Sequence, residues 1–360
     1  IFLCEDSLLT LQNLASYHRK QLKTTIIGIS GTNGKTTTKE LIQVVLSKKF
    51  KTLATKGNLN NHIGVPLTLL SIPCDTEIAI VEMGANHVGE IGFLCDIAMP
   101  DLAILTNIGT AHIEGFGSRE NIIKTKKELF DFVKNNSCEK SHIFVNADDN
   151  ALKDETFSKK TTYSLNTKAD ISAKACCENG YAQIFYKDNL IASNLVGVYN
   201  AYNILAALTI GLHFGVELEQ IKKAIEQYTP SNNRSQILKT NNNTLILDCY
   251  NANPSSCTSS IESFANMEAN HKMVFMGAMK ELGEVSIQEH KRVFELLQSK
   301  GFERIVLIGE EYRSVLEGKV EWYANSEEFK ENLIENKIEE ATILIKGSRS
   351  TKMEVLKDVL

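Results

Sequence analysis

The residues with the clearest chemistry run from Thr24 to Thr38, TTIIGISGTNGKTTT. An apolar run, a glycine-rich turn and then a helical pattern make a phosphate cradle. Glycines let backbone N–H groups approach phosphate oxygens, and the positive end of the following helix favours an anion. Gly31, Thr32, Asn33, Gly34, Lys35, Thr36 and Thr37 form that cradle, with Lys35 placed to reach β and γ oxygens and the Thr36 hydroxyl to ligate Mg²⁺. The strict GxxxxGK[ST] spacing fails at one position, where Ile29 replaces the first glycine and Gly28 and Gly31 bracket it. An ordinary glycine-rich turn is the bland alternative; the strand-to-helix context and the Lys35-Thr36 pair favour a nucleotide phosphate.

Three further side chains extend this chemistry. Glu82 ends the apolar run IAIVE, at the carboxyl end of a strand where open α/β sheets bind ligands, and can hold Mg²⁺ opposite Thr36. A strand-end carboxylate in solvent is an equal alternative on this feature alone. His112 follows the strand and polar turn TNIGTA, where a lone histidine is more often structural than a ligand. Lys126 sits in the middle of the helical stripe Ile122, Ile123, Leu129, Phe130 and Val133, so it points inward while Lys124 and Lys127 need not. A lysine is almost never buried without a partner, so this one either snorkels from the stripe's edge or is chemically employed.

In the second half, Asp248-Cys249-Tyr250-Asn251-Ala252-Asn253-Pro254 closes a strand and opens a helix, and Lys346-Gly347-Ser348-Arg349-Ser350 does the same at the last strand. Backbone N–H groups and an Arg fork at such turns suit an anionic or zwitterionic ligand, although taken singly each is an ordinary strand-to-helix turn.

Positioning these residues requires alternating strands and helices. Short Ile/Val/Leu runs at Thr25 to Ser30, Glu77 to Met83, Asp101 to Ile108 and His142 to Asn146 are separated by helical patterns such as Lys35 to Lys48 and Ser118 to Lys134, which predicts an α/β fold with a mostly parallel sheet. From Ile171 to Asp188, ISAKACC and YAQIFYKD flank Glu178-Asn179-Gly180 and predict a subsidiary antiparallel hairpin. Helical patterns at Asn200 to Phe214 and Leu218 to Tyr228 lead to the breaker-rich stretch Tyr228 to Asn233, and a second α/β series follows. Its strands are Thr244 to Asp248, Lys272 to Met276, Arg304 to Ile308, Val320 to Tyr323 and Thr342 to Lys346. The reading is two α/β domains, over 1–230 and 231–360.

Composition narrows the function class. Of 360 residues, 43% are hydrophobic and only 5 are proline, which excludes disordered and collagen-like chains. A net charge of -5 leaves no basic surplus for a phosphate backbone, so no nucleic-acid partner is expected. No apolar run approaches the length of a membrane span. Eight cysteines without CxxC spacing fit a cytoplasmic enzyme with reduced thiols.

The motifs in their order resemble the Mur ligase family over essentially the whole chain: GTNGKTTTKE, GNLNNHIGVPLTLL, VEMGANHVGEI, TNIGTAHIEGFGS, KTKKELF, YNAYNILAA, YNANP, MKELGE and KGSR. Within the family, NLNN, EMGAN, YNANP and KGSR point to the branch that ligates D-alanyl-D-alanine to UDP-N-acetylmuramoyl-tripeptide. The resemblance implies an ATP-dependent amide ligation through an acyl phosphate, in peptidoglycan precursor synthesis, with Lys35, Glu82, His112 and Lys126 catalytic. It implies two Mg²⁺ sites, one on Thr36 and Glu82 and one on His112, with Lys126 carbamylated at the metal site. Asn200 and Asn203 would meet the adenine, Arg234 the phosphates and Asp248 the ribose. Asn60 and Asn61 match the muramoyl-substrate loop, while Asn251, Asn253, Ser348 and Arg349 would lie near the acceptor. The resemblance further implies that 1–230 is the central ATP-binding domain and 231–360 a C-terminal Rossmann-like, acceptor-binding domain, and a monomer is expected.

The chain departs from the family pattern at Tyr199, where a His is usual, at Ala278, where an Asp often stands, and at Asn233, where a Gly is common before Arg234. The uridine-binding domain of the family is expected to precede Ile1, with residues 1–23 as the connecting segment, so this chain should bind ATP yet hold a UDP-sugar poorly. Competing expectations are another ligase on the same scaffold, such as a folylpolyglutamate synthase, against which YNANP and EMGAN argue, and a nucleotide-binding regulator that has lost catalysis. The regulator should show damage at Lys35, Thr36, Glu82, His112 or Lys126, and all five are present.

Overall fold

The computed structural model describes residues 3–111, 113–230, 233–316 and 320–360. Seven strands, β1 (Thr25–Ser30), β2 (Thr52–Ala54), β3 (Ile78–Glu82), β4 (Leu102–Leu105), β5 (His142–Asn146), β6 (Lys160–Ser164) and β7 (Ile171–Ser172), form an all-parallel sheet in the order β2-β3-β1-β4-β5-β6-β7. Helices cover both faces, which is why the central strands are apolar throughout rather than alternating. Ile27 and Ile29 of β1 pack with α2 (Lys35–Leu46), α7 (Ala201–His213) and α8 (Leu218–Gln227). On the opposite face Ile26 packs with α1 (Ser7–Gln21), α3 (Gly64–Leu70), α4 (Glu90–Ala98) and α6 (Arg119–Asn135). A one-turn helix, α5 (Ile113–Phe116), precedes α6.

Strand order reverses between β1 and β4, so the carboxyl ends of β1, β3 and β4 border the switch point where such sheets bind ligands. Two-residue alternation along β3 sends Ile78 and Ile80 to the α2 face. Glu82 follows them there.

The expected hairpin forms, with one change of register. β8 (Lys174–Glu178) and β9 (Tyr181–Tyr186) are antiparallel around Asn179 and Gly180, both at positive φ as a tight two-residue turn requires, and β10 (Asn189–Ile191) adds a third strand. Ile171 and Ser172, expected in the hairpin, instead close the parallel sheet as β7 because their backbone pairs with Tyr163 and Ser164.

The second sheet holds β11 (Gln236–Lys239), β12 (Thr244–Asp248), β13 (Lys272–Gly277), β14 (Arg304–Ile308), β15 (Glu321–Tyr323) and β16 (Thr342–Lys346) in the order β11-β12-β16-β13-β14-β15. Only the edge strand β11 is antiparallel to its neighbour. α9 (Pro254–Ala265) and α10 (Ser286–Ser299) cover one face and α11 (Ser326–Glu335) the other. Among the described residues no helix is long and apolar enough to cross a membrane.

Candidate active site

The carboxyl ends of both parallel sheets face one cavity of about 960 Å³, bordered by Lys35, Arg234, Tyr250, Asn253, Lys280 and Arg349 among others. On the β1 side the chain leaves Ser30 through Gly31 and enters α2 at Gly34. Both glycines are required. Gly31 has φ +140° and a Cβ there would lie 2.0 Å from the Thr106 hydroxyl; Gly34 has φ +78° and its Cβ would lie 2.5 Å from Asn203 Oδ1. Lys35 folds over the turn, donating to the carbonyls of Gly31 (2.7 Å) and Thr32 (3.0 Å). Burial lowers its pKa to about 8; Glu82 opposes that shift and Arg234 adds to it.

Glu82 is not a solvated strand end. It is 1% exposed, and its Oε1 accepts from Asn60 Nδ2 at 2.8 Å and the Thr36 hydroxyl at 3.3 Å. Its Oε2 is buried without a hydrogen-bond partner, with Lys39 Nζ at 3.7 Å. Among the described residues no group of three or more His, Cys, Asp and Glu gathers as a metal site. A hydroxyl beside a carboxylate with an unused oxygen suits Mg²⁺, which takes few protein ligands and completes its shell with water and phosphate oxygens.

Lys126 does point inward, 3% exposed, while Lys124 is exposed and Lys127 pairs with Glu155 at 2.7 Å. Its ammonium lies 5.9 Å from the Phe116 ring centre. Burial first, and then the charge of Lys35, lowers its pKa to about 7. His112 lies outside the described residues.

Asn200 and Asn203 border the cavity, but their amides are used within the protein. Asn200 Nδ2 donates to the Val196 carbonyl at 2.7 Å, Asn203 Nδ2 donates to Asn200 Oδ1 at 2.8 Å, and Asn203 Oδ1 accepts from Thr38 at 3.0 Å. They lock the first turn of α2 to α7. Tyr199, in place of the usual His, hydrogen-bonds Ser235 at 2.8 Å, and burial raises its pKa to about 12. Asn233 has φ +55°, which explains a glycine's preference there and an Asn's tolerance.

Arg234 carries a guanidinium 3.7 Å from the Tyr250 ring centre and a buried Nε without a hydrogen-bond partner. Arg349 lies over the same ring at 5.5 Å. Asp248 pairs with Lys346, 2.7 Å away and 1% exposed, and accepts from Ser260 at 2.7 Å; despite burial, that lysine lowers the carboxyl's pKa. Ser348 accepts from the Lys280 backbone at 3.1 Å. Asn61 accepts from the backbones of Ile63 and Gly64 at the start of α3, and Asn60 is engaged with Glu82. Asn251 Oδ1 accepts from Ala252 N, and Asn253 caps α9 through Ser256 N. The sequence reading had not singled out Lys39, Thr106, Tyr250, Ser255, Lys280 or Lys346 as site residues. Lys39 was detectable, being three residues beyond Thr36 on the same helical face.

The Mur ligase middle-domain model matches residues 29–211, and the model described as Mur ligase, glutamate ligase domain matches residues 233–349. This chain belongs to the Mur ligase family. Among the relatives of this Mur ligase is the UDP-N-acetylmuramoyl-tripeptide–D-alanyl-D-alanine ligase of Bacillus subtilis, 32% identical over 100% of this chain and 81% of the relative. The enzyme of that name from Escherichia coli is 31% identical over 97% of this chain and 80% of its own length. Among solved structures, MurF from Acinetobacter baumannii superposes with a TM-score of 0.87 at 31% identity, covering 99% of this chain and 81% of that one. The MurF ligase of Thermotoga maritima in complex with ADP gives 0.86 at 29% identity, covering 100% and 84%.

Proposed function

We propose that this Mur ligase joins D-alanyl-D-alanine to UDP-N-acetylmuramoyl-tripeptide in ATP-dependent peptidoglycan precursor synthesis. The observation that carries the reading is the shared cavity: a phosphate cradle on the 1–230 part faces Arg349 and the strand-end loops of the 231–360 part. The relatives' names supply the substrate pair.

The terminal carboxylate of the tripeptide attacks the γ-phosphorus of ATP, the bond to ADP breaks, and an acyl phosphate results. The neutral amine of the dipeptide then attacks the acyl carbon, loses a proton, and inorganic phosphate leaves with the C–O electron pair. Phosphoryl transfer needs positioning and charge neutralisation more than covalent help. Lys35, released from the carbonyls of Gly31 and Thr32, takes the β and γ oxygens, and Arg234 presents its unpaired Nε to phosphate. Thr36 and Glu82 would hold one Mg²⁺, while His112 and Lys126, once carbamylated to an anionic group, would hold a second. Bound there, the ions would neutralise charge on the transferring phosphoryl group.

Lys126 fits carbamylation because the reaction with CO₂ needs a neutral amine, and an amine of pKa about 7 supplies one at neutral pH. Asn200, Asn203 and Asp248 border the nucleotide side, where the two asparagines act by shaping α2. Asn60 and Asn61 would shape the muramoyl side, and Asn251, Asn253, Ser348 and Arg349 the acceptor side. A monomer in the cytoplasm, with its cysteines reduced, completes the reading; among the described residues the cysteines are free thiols.

Phosphate release tests it. ATP turnover should require both the UDP-muramoyl tripeptide and D-alanyl-D-alanine, and single amino acids should not replace the dipeptide. Release with a single amino acid in its place would move the assignment to another ligase, and nucleotide binding without release would favour a regulator.

A further inference from the structure

Asn33, at the tip of the phosphate cradle, spends its side chain on the other half of the molecule. Its Nδ2 donates to the Ser255 hydroxyl at 2.9 Å, that hydroxyl donates to Asn253 Oδ1 at 2.9 Å, and Asn253 Nδ2 donates back to Asn33 Oδ1 at 2.8 Å. The three side chains form a closed ring of hydrogen bonds across a sequence separation of about 220 residues. Each donor meets one acceptor, so the ring has a single consistent direction.

Both ends of the ring are anchored. The Asn33 backbone N–H donates to Asn107 Oδ1 at 3.0 Å, and its carbonyl accepts from Thr106 Oγ1 at 2.6 Å and Asn107 Nδ2 at 3.0 Å. Asn253 and Ser256 form a capping box that fixes the first turn of α9. A Cβ on Gly109 would come within 3.0 Å of the Ser255 hydroxyl, so the loop after β4 closes against the same turn.

We propose that Asn33, Ser255 and Asn253 are positioning residues that register the acceptor-side loops against the phosphate cradle. Asn33 then spends its side chain on domain registry, a role its place in the glycine-rich turn does not reveal. The inference rests on the ligase reading only for its catalytic consequence. The registry itself is a property of the fold.

The test is a double-mutant cycle of Asn33→Ala and Ser255→Ala in this chain, with Asn253→Ser as a third variant that retains a capping hydroxyl but cannot reach Asn33. Three quantities are measured: ADP affinity by calorimetry, the ADP-bound radius of gyration by small-angle scattering, and, in the ligation assay, kcat and the KM for D-alanyl-D-alanine. Each single variant should enlarge the radius of gyration and raise the acceptor KM about tenfold, and the double variant should match the singles. Additive effects, or an unchanged radius with ADP affinity lost in Asn33→Ala, would overturn the proposal and make Asn33 a phosphate ligand. If the wild-type chain fails to ligate, the ADP and scattering arms still decide the registry.

Discussion

Glu82 and Lys39 face each other at 3.7 Å with each side chain only 2% exposed. Lys39 gives its short hydrogen bond, 2.6 Å, to the Thr55 carbonyl, so toward Glu82 it supplies charge rather than a bond. Removing one member of a buried pair leaves the other uncompensated, at a cost of about 3–5 kcal/mol. Lys39→Met should therefore lower unfolding stability by that amount in urea, and Mg²⁺ with ADP should narrow the deficit by neutralising the same carboxylate. Equal stability of Lys39→Met and the parent without metal would show that the pair contributes nothing.

Lys126 makes a prediction of opposite sign. Its folded pKa of about 7 lies below the ordinary lysine value of 10.5, so between those values the unfolded chain binds the extra proton and stability rises with pH. The buried amine therefore costs most at and below pH 7 and nothing above about 10.5. In bicarbonate-free buffer Lys126→Met should be more stable than the parent at pH 7, and the gap should close as the pH approaches 10.5. The same variant should lose about a hundredfold or more of ligation turnover if the lysine's charge chemistry is used in the transition state. A pH-independent stability difference would sink the titration argument.

Residue patterning carried the sheet centres and lost the edges. β1, β5, β12, β14 and β16 end where their apolar runs end, because strands covered on both faces have no polar alternation to blur them. β2 has three residues, and β6 is KTTYS with half-buried threonines, so neither presents an apolar run. α1 carries a weak apolar stripe and buries Gln12 and Arg19 alongside Ala15, polar positions that helical periodicity does not flag.

The candidate site divides in the same way. Lys126 was legible because helical periodicity places one lysine inside an apolar stripe. Of the Glu82 environment only the Thr36 partner was legible, since Asn60 and Lys39 reach the carboxylate from two other segments. The Asn33 ring and the Asp248–Lys346 pair depend on which strand ends face each other, which local pattern does not encode.

Gly34 should be the least replaceable position of the cradle. An alanine there would have to hold φ +78° and place its Cβ 2.5 Å from Asn203 Oδ1, an oxygen already engaged by Thr38. Relief requires moving α2 or breaking the Asn200–Asn203–Thr38 chain, and either shift displaces the N–H groups of the cradle. Gly34→Ala should weaken ADP binding more than about tenfold in calorimetry, a backbone strain of about 1–3 kcal/mol adding to the steric clash. ADP affinity equal to that of the parent would mean that the turn adapts without cost.

His290 holds the loop that carries Lys280 into the cavity. Its Nε2 accepts from the Met279 N–H at 3.0 Å and its Nδ1 donates to the Ser286 carbonyl at 2.7 Å, an arrangement available only to the neutral ring. Tyr312 packs edge-on against it at 4.7 Å. Burial lowers its pKa, opposed by the Ser286 carbonyl, Glu311 and Glu289, while Lys280 reinforces the shift. A histidine held neutral in the fold stabilises less as the pH falls below its ordinary value of 6.5, because the unfolded chain takes up the proton first. His290→Gln keeps an acceptor and a donor without titrating, so the stability difference between parent and variant should shrink or reverse between pH 6.5 and 5. Taking that difference cancels the background from His142 and His213, whose pKa values are also lowered. His290→Phe strands the Met279 N–H and should cost about 1–3 kcal/mol, with faster amide exchange over residues 279–284. Unchanged exchange in His290→Phe would show that Ser348 alone holds the loop.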